Sequence, residues 1–278
     1  MRIGGAVERP YSGPDEWYKW VEELGYRAVL APVSADAPKS EKEAYLACVK
    51  EHDLVISEVG AWCSPIAFDE KARKEGIAYC KKQLALAEEL SANCCVNIAG
   101  NREAKWDSYC AANYEPDTYA LIVDTVREII DEVQPEKTFY TLEPMPWMLP
   151  TSPEEYLQLI KDIDRKAFAV HMDFINMINC PERFVKRDAF IEHCFKTLGP
   201  YIKSIHGKDI NMGHQYPCVL EETMPGKGVV DYGKVMKLVS KLDVNMPFMV
   251  EHLPDHESYM EAASYVRKQA IQAGVELP

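Results

Sequence analysis

Eight short apolar runs alternate with longer amphipathic segments along the whole chain. Because parallel strands need a crossover connection, usually a helix, this alternation is typical of repeated βα units. Eight units predict an α/β fold of the (β/α)8 TIM barrel type. The length of 278 residues fits one such barrel of about 250 residues, so we expect a single domain over residues 1–278. The predicted strands are 2–7, 28–33, 54–61, 92–98, 137–143, 168–173, 202–207 and 247–252.

Helix-start signals support the predicted alternation. In SPEEYLQLIKDI, Ser152 can cap a helix, Pro153 occupies its first position, and Glu155 follows the serine by three residues. The segment GPDEWYKWVEELG has acidic residues in its first turn and ends at Gly25. The segment from about residue 257 to 273 is predicted to form the last helix of the ring.

Two predicted loops are unusually long: residues 100–114 after the fourth strand and residues 211–232 after the seventh. Loops that follow the strands of such a barrel form its active-site face. Both loops are therefore candidates for covering a substrate. Packing over the barrel or forming a subunit contact is an equally good interpretation.

Composition excludes several classes of function. The net charge of −13 opposes binding to nucleic acid or to an anionic membrane, since both depend on basic patches. No segment has about 18 uncharged apolar residues in a row, so we expect no membrane association. The nine cysteines are scattered without a CxxC pair, which favours reduced thiols and a cytoplasmic location.

Four short runs each hold one candidate metal ligand. FYTLEPMPW contains Glu143, FAVHMDFIN contains Asp173, IKSIHGKDI contains His206 and PFMVEHLPD contains Glu251. Successive candidates are separated by 30 to 45 residues, about one βα unit, which predicts a single site on four consecutive strands. Three carboxylates and one imidazole suit Mn²⁺ or Mg²⁺. We expect a divalent metal, with Mn²⁺ favoured and Mg²⁺, Co²⁺ or Zn²⁺ also compatible.

Glu143 and Glu251 are also candidate acid–base residues, because they lie at the carboxyl ends of the fifth and eighth predicted strands, which would place them on opposite sides of the barrel mouth. A metal-bound α-hydroxy ketone has an acidified α-proton, and the resulting enediolate is stabilised by the ion. Proton return to the opposite face gives epimerisation, and return to the neighbouring carbon gives aldose–ketose isomerisation. Loss of a β-substituent from the same carbanion gives a lyase reaction.

Further residues are candidates for substrate contact. Residues two apart on a strand point the same way, so His171 would share a face with Asp173, and Lys208 with His206. Each candidate also has a simpler interpretation, such as core packing, an ion pair, loop capping or support of a ligand. The candidates are Trp62, Trp147, His171, Asn176, Lys208 and His252.

The ordered motifs LEPMPW, HMDFIN, IHGKDI, PGKGVVDY and MVEHL resemble those of the xylose isomerase-like TIM barrel superfamily of sugar isomerases and epimerases. The resemblance spans nearly the whole chain. It implies metal ligation by Glu143, Asp173, His206 and Glu251, with the two glutamates serving as acid and base. PGKGVVDY is similar to the glycine-containing loop that precedes the seventh helix in such proteins.

The chain departs from the ketohexose 3-epimerases of that superfamily at three positions. It has Asn176 where they have a histidine, Leu149 where they have a glutamate and Met212 where they have an arginine. These departures predict that the substrate is not a simple free ketohexose. The alternatives within the superfamily include inosose or dehydroshikimate dehydratases, hydroxypyruvate isomerases and metal-bearing subunits that cleave 3-keto C-glycosides.

The leading hypothesis is a divalent-metal-dependent sugar isomerase or epimerase acting on a small carbohydrate. The alternative is a metal-dependent lyase or dehydratase on a keto-sugar, keto-cyclitol or 3-keto glycoside, for which Trp62, Trp106 and Trp147 could stack on an aromatic aglycone. Phosphodiester hydrolysis, as in endonuclease IV-like barrels, is disfavoured by the acidic chain and its seven histidines. A sugar-binding module without catalysis would not need paired glutamates. A homo-oligomer or a partner subunit is compatible with all of these.

Overall fold

Eight parallel strands close into a barrel surrounded by helices, in a computed structural model that describes residues 1–278. The barrel order is β1-β10-β7-β6-β5-β4-β3-β2, and β8 pairs only with β9. The strands are β1 (Arg2–Gly5), β2 (Ala28–Leu30), β3 (Val55–Gly60), β4 (Cys94–Asn97), β5 (Tyr140–Leu142), β6 (Phe168–Met172), β7 (Ile202–Gly207), β8 (Asp209–Met212), β9 (Leu220–Thr223) and β10 (Pro247–Val250).

Helices follow every barrel strand, which confirms the predicted TIM barrel and its eight βα units. Seven of the eight predicted strands are shorter than expected by one to four residues, because the chain leaves the hydrogen-bonded ladder to enter the loops. The helices are α1 (Pro14–Glu23), α2 (Lys39–Glu51), α3 (Glu70–Leu90), α4 (Pro116–Val133), α5 (Pro153–Ile163), α6 (Pro181–Val185), α7 (Arg187–Leu198), α8 (Tyr232–Val239) and α9 (His256–Gln272).

The predicted helix signals act as expected. The Ser152 hydroxyl accepts a hydrogen bond from the backbone N–H of Glu155 at the start of α5. Such a cap satisfies one of the N–H groups that have no partner within the helix. Asp255 caps α9 in the same way through the N–H of Ser258.

The segment after β7 is more ordered than its predicted loop. Strands β8 and β9 form an antiparallel hairpin in which Asp209 faces Thr223 and Met212 faces Leu220. Sequence patterning missed it because DINM and LEET contain too few β-branched or aromatic residues to predict strands. The other long loop contains only a short 3₁₀ turn, Ala111–Tyr114.

The buried carboxylate of Asp209 organises the glycine-containing loop PGKGVVDY. It accepts hydrogen bonds from the backbone N–H groups of Gly226 and Val230 at 3.1 and 3.0 Å. Gly226 has φ +88°, a left-handed conformation that favours glycine. This loop therefore fixes the base of the hairpin against the carboxyl end of β7.

The core between the barrel and its helices is apolar, but the barrel interior carries a polar layer. Glu58, His171, Ser204 and His206 are all buried on neighbouring or facing strands. Buried polar groups of this kind must find partners inside the protein. None of the helices combines the length and apolarity needed to span a lipid bilayer.

Candidate metal and active site

The four predicted ligands converge at the carboxyl ends of neighbouring strands. Glu143, Asp173 and Glu251 each follow the last residue of β5, β6 and β10, whereas His206 lies within β7. These strands are consecutive in the barrel. One donor atom from each residue can be chosen so that all four lie within 4.8 Å of one another.

His206 is the centre of this cluster. Its Nδ1 lies 2.9 Å from Glu143 Oε1 and 2.7 Å from Glu251 Oε2, so the two glutamates flank one edge of the imidazole. Glu143 and His206 are buried, and the Glu251 side chain is only 13% exposed. The two predicted acid–base residues therefore meet at the same nitrogen of His206, at the floor of the barrel mouth.

Lys208 occupies the other side of the cluster. Its ammonium lies 2.9 Å from Asp173 Oδ2, 2.6 Å from Glu251 Oε1 and 3.3 Å from Glu222 Oε2. The lysine is 1% exposed. A buried ammonium is stable only beside such partners, because removing a charge from water costs several kcal/mol.

The charges of the cluster compensate one another unevenly. Burial raises the pKa of Asp173 to about 7, against the lowering effect of the Lys208 ammonium. Burial also raises the pKa of Glu251, but His206 and Lys208 outweigh it and hold that pKa well below its usual range. The His206 pKa is well above its usual value because the surrounding glutamates outweigh burial.

The residues present fit a divalent cation. Asp173 Oδ2 and Glu251 Oε1 are buried without a hydrogen-bond partner of good geometry, although each has the Lys208 ammonium at ion-pair distance. Carboxylate oxygens left in this state are suited to a cation. Together with Glu143 and His206 they offer three oxygen donors and one nitrogen donor, a set that suits Mn²⁺ or Mg²⁺.

Beneath the ligands lies a second buried cluster around Glu58. Glu58 Oε1 is 3.0 Å from His206 Nε2, and Glu58 Oε2 is 3.0 Å from His171 Nε2. The Ser204 hydroxyl donates to Glu58 Oε2 at 2.9 Å. His171 is thus fully buried one layer below the predicted ligands, and it does not reach the cavity to which sequence analysis assigned it.

The cavity above the ligands has a volume of about 700 Å³. Its floor includes Glu58, Glu143, His206 and Glu251, and its wall includes His252 and two tryptophans, Trp62 and Trp106. The Trp62 indole lies against Gly60, where an added Cβ would be 2.4 Å from the indole Nε1. Because Gly60 has no side chain, the Trp62 indole can pack over the mouth of the barrel.

The other predicted substrate contacts lie at different depths. Asn176 donates to the Pro144 carbonyl at 3.0 Å and approaches Glu143 Oε1 at 3.4 Å, so it holds the ligand loop. Trp147 is 38% exposed and donates to the Asp107 carbonyl, outside the lining of the cavity. His252 is at the rim, with Nδ1 3.0 Å from Glu222 and 3.4 Å from the Lys208 ammonium.

Two residues near the site were missed from the sequence: Glu58 and Glu222. Glu58 is a single charge inside the apolar run LVISEVG, a signal of a buried, partnered carboxylate. Glu222 belongs to the unpredicted hairpin, which brings its carboxylate over Lys208 and His252. The hydrogen bond to His252 lowers the Glu222 pKa against the opposing effect of burial.

Comparison with known families identifies the chain. The family described as xylose isomerase-like TIM barrel matches residues 18–269, which include all four candidate ligands. The chain belongs to the xylose isomerase-like TIM barrel family. The resemblance seen in the ordered motifs is thereby confirmed. No curated protein sequence matches this member of the family.

Solved structures share the xylose isomerase-like fold over nearly their whole length. A xylose isomerase-like TIM barrel protein from Mycobacterium smegmatis, in complex with magnesium, is 18% identical, with TM-score 0.67 over 94% of this chain and 90% of that one. The 3-keto-D-glucoside 4-epimerase YcjR of E. coli is 15% identical, with TM-score 0.68 over 96% and 99%. The probable 3-DHS dehydratase AsbF of Bacillus anthracis is 15% identical, with TM-score 0.71 over 97% and 98%. At these identities the likeness is one of fold.

Proposed function

We propose that the protein is a divalent-metal-dependent sugar isomerase or epimerase. The observation that carries the proposal is the position of Glu143 and Glu251, which flank the candidate ligand His206 at 2.9 and 2.7 Å. Two carboxylates beside one metal centre can each exchange a proton with a bound α-hydroxy ketone. The solved neighbours include a 3-keto-D-glucoside 4-epimerase and a probable 3-DHS dehydratase, and these named activities support the proposal at the level of the superfamily.

Glu143, Asp173, His206 and Glu251 would hold the ion. When bound, the ion neutralises the negative charge that develops on the substrate oxygens during proton removal. One glutamate removes the proton from carbon, and the other returns a proton to the opposite face or to the neighbouring carbon. The buried Lys208 ammonium, 2.6 Å from Glu251, keeps that carboxylate ionised and able to accept a proton.

Proton NMR in D₂O tests this proposal directly. Protein loaded with Mn²⁺ is incubated with ketoses, inososes and 3-keto glycosides, and the spectra are recorded after the ion is removed. We expect deuterium uptake at one substrate carbon together with a new stereoisomer or aldose. A chelated sample is the control and should show neither change. Absence of exchange from every compound by metal-loaded protein would contradict the proposed function.

A second candidate function is favoured by an aromatic cavity next to the site. This cavity of about 710 Å³ shares Trp62 and Trp106 with the first, and its lining includes Phe68, Tyr79 and Arg102. Phe68 is 61% exposed, and the Arg102 guanidinium lies 4.1 Å from the centre of its ring. A sugar bound at the ligands could thus carry a ring substituent across the tryptophans into this cavity.

Such a substrate supports a lyase reaction on a 3-keto glycoside. The carbonyl at C3 acidifies the proton on C2, and one glutamate takes that proton. The bond from C1 to the aglycone then breaks, a C1–C2 double bond forms, and the other glutamate protonates the leaving aglycone. In the D₂O experiment this reaction gives an alkene and a released aglycone instead of a new stereoisomer.

Substitution of Phe68 tests whether the aromatic cavity binds such a ring. We expect Phe68→Ala to lower kcat/KM for a phenyl 3-keto glycoside about tenfold, the equivalent of about 1.4 kcal/mol, and to leave the unsubstituted keto-sugar unchanged. Tyr109→Ala is the matched control, because Tyr109 is an exposed aromatic residue outside both cavities. Equal losses for both substrates in Phe68→Ala would argue against a ring-binding cavity.

A further inference from the structure

We propose that Glu58 is a positioning residue that fixes the orientation and tautomer of the metal ligand His206. The inference rests on the proposed metal site. Glu58 comes from β3, which lies across the barrel from β7, and its carboxylate reaches the far edge of the His206 ring. It therefore contacts the histidine on the side opposite the glutamates Glu143 and Glu251.

The hydrogen-bond inventory around Glu58 requires an acceptor at this position. Three donors lie within 3.0 Å of one carboxylate, namely His206 Nε2, His171 Nε2 and the Ser204 hydroxyl, at 3.0, 3.0 and 2.9 Å, and the Ser57 hydroxyl is a weaker fourth at 3.4 Å. An ionised carboxylate accepts only, so it can satisfy all three. The His171 Nδ1 atom is buried without a partner, which leaves Glu58 as the sole side-chain hydrogen-bond partner of that ring.

This arrangement decides which nitrogen of His206 faces the ligands. Because Glu58 takes the Nε2–H, Nδ1 is the nitrogen that faces Glu143 and Glu251 and that would offer its lone pair to an ion held there. A carboxylate behind a ligand histidine fixes its tautomer and raises its basicity. His171 packs edge-on against the His206 ring, with 4.0 Å between ring centres, and limits its rotation.

Glu58, His171 and His206 also lie close enough together to hold a cation. The contacts favour the positioning role, because each Glu58 oxygen already accepts an N–H hydrogen bond at 3.0 Å. A second ion would have to displace both of these bonds. Counting bound ions therefore separates the two roles: positioning by Glu58 requires one ion per chain.

The first test measures metal affinity. We expect titration calorimetry with Mn²⁺ to give one ion per chain in the wild type, and an affinity about 10- to 100-fold weaker in Glu58→Gln. Glutamine cannot accept all three hydrogen bonds, because half of its amide is a donor. Ser204→Ala removes one donor to Glu58 without changing charge, so it should weaken Mn²⁺ affinity only a few-fold. It provides a second test of the Glu58 contacts should Glu58→Gln fail to fold.

Glu192→Gln is the matched control for the same chemical change. Glu192 is exposed on α7 without a side-chain hydrogen bond or ion pair. Its Mn²⁺ affinity should stay within about twofold of the wild type, by the additivity expected for groups without shared partners. Thermal unfolding of each variant records any general loss of stability.

The second test reads the tautomer itself. In Zn²⁺-loaded protein labelled with ¹⁵N-histidine, we expect His206 to be protonated at Nε2, with slow exchange of that proton, and Glu58→Gln to speed that exchange. Unchanged affinity and unchanged exchange in folded Glu58→Gln, or two ions per wild-type chain, would overturn the inference. A wild type that binds no ion would instead overturn the proposed function, and the histidine spectrum of the metal-free protein would still test the Glu58 hydrogen bond.

Discussion

Replacing either Glu143 or Glu251 with glutamine is expected to lower kcat by about 10²- to 10⁴-fold, the usual contribution of general acid–base catalysis. Each glutamate is also a candidate ligand in the cluster around His206. Both variants are therefore assayed in saturating Mn²⁺, with metal content measured. Full activity in either metal-loaded variant would contradict the acid–base role.

Deuterium exchange distinguishes the roles of the two glutamates. If they act on opposite faces of one carbon, each variant loses proton removal from one epimer and keeps exchange with the other. In D₂O, Glu143→Gln and Glu251→Gln should then wash protons out of different epimers without interconverting them. Glu192→Gln is the matched control, since Glu192 is exposed on α7 without a side-chain hydrogen bond or ion pair. It should keep wild-type turnover.

The four candidate ligands could be predicted because each stands at the end of an apolar run. The carboxyl ends of parallel barrel strands meet on one face, so residues there converge whatever their separation in sequence. Glu143 and Glu251 are 108 positions apart by number, yet both contact His206 Nδ1. The fold and this cluster follow from the spacing of the motifs alone.

Depth inside the barrel could not be predicted in the same way. Alternation along a strand gives the side of the sheet on which a residue lies, but residues two apart on that side are separated by about 6.6 Å along the strand. His171 and Asp173 share the inner side of β6, as the alternation predicts. His171 nevertheless lies one layer deeper in the barrel, against Glu58. Lys208 is likewise one layer above His206, at the level of Asp173.

The partners of a residue across the barrel leave no local signal in the sequence. Glu58 meets His171 and His206 from 113 and 148 residues away, and nothing in LVISEVG indicates those partners. The approach of Glu222 to Lys208 depends on a hairpin whose strands lack strand-forming residues. The partners of Glu58 and Glu222 are therefore set by the fold and not by the neighbouring sequence.

Replacing Lys208 with methionine should destabilise the metal-free protein by about 3–5 kcal/mol, the cost of leaving buried charges unpaired. Only three basic side chains lie within 4.0 Å of the ligand carboxylates: Lys208, His206 and the exposed His252. Methionine is similar in length but uncharged, so Asp173 would lose its only ion-pair partner and Glu251 would keep only the two histidines. Thermal unfolding of metal-free protein should show a large fall in Tm.

Added Mn²⁺ should recover much of this loss, since an ion on the ligand carboxylates supplies the missing positive charge and stabilises the folded state by mass action. Lys208→Met should therefore gain more in Tm from Mn²⁺ than the wild type does. Lys241→Met is the matched control, because Lys241 is exposed and makes no ion pair, and its Tm should match the wild type with and without metal. Equal gains from Mn²⁺ in Lys208→Met and the wild type would mean that the ammonium and the ion do not compensate the same carboxylates.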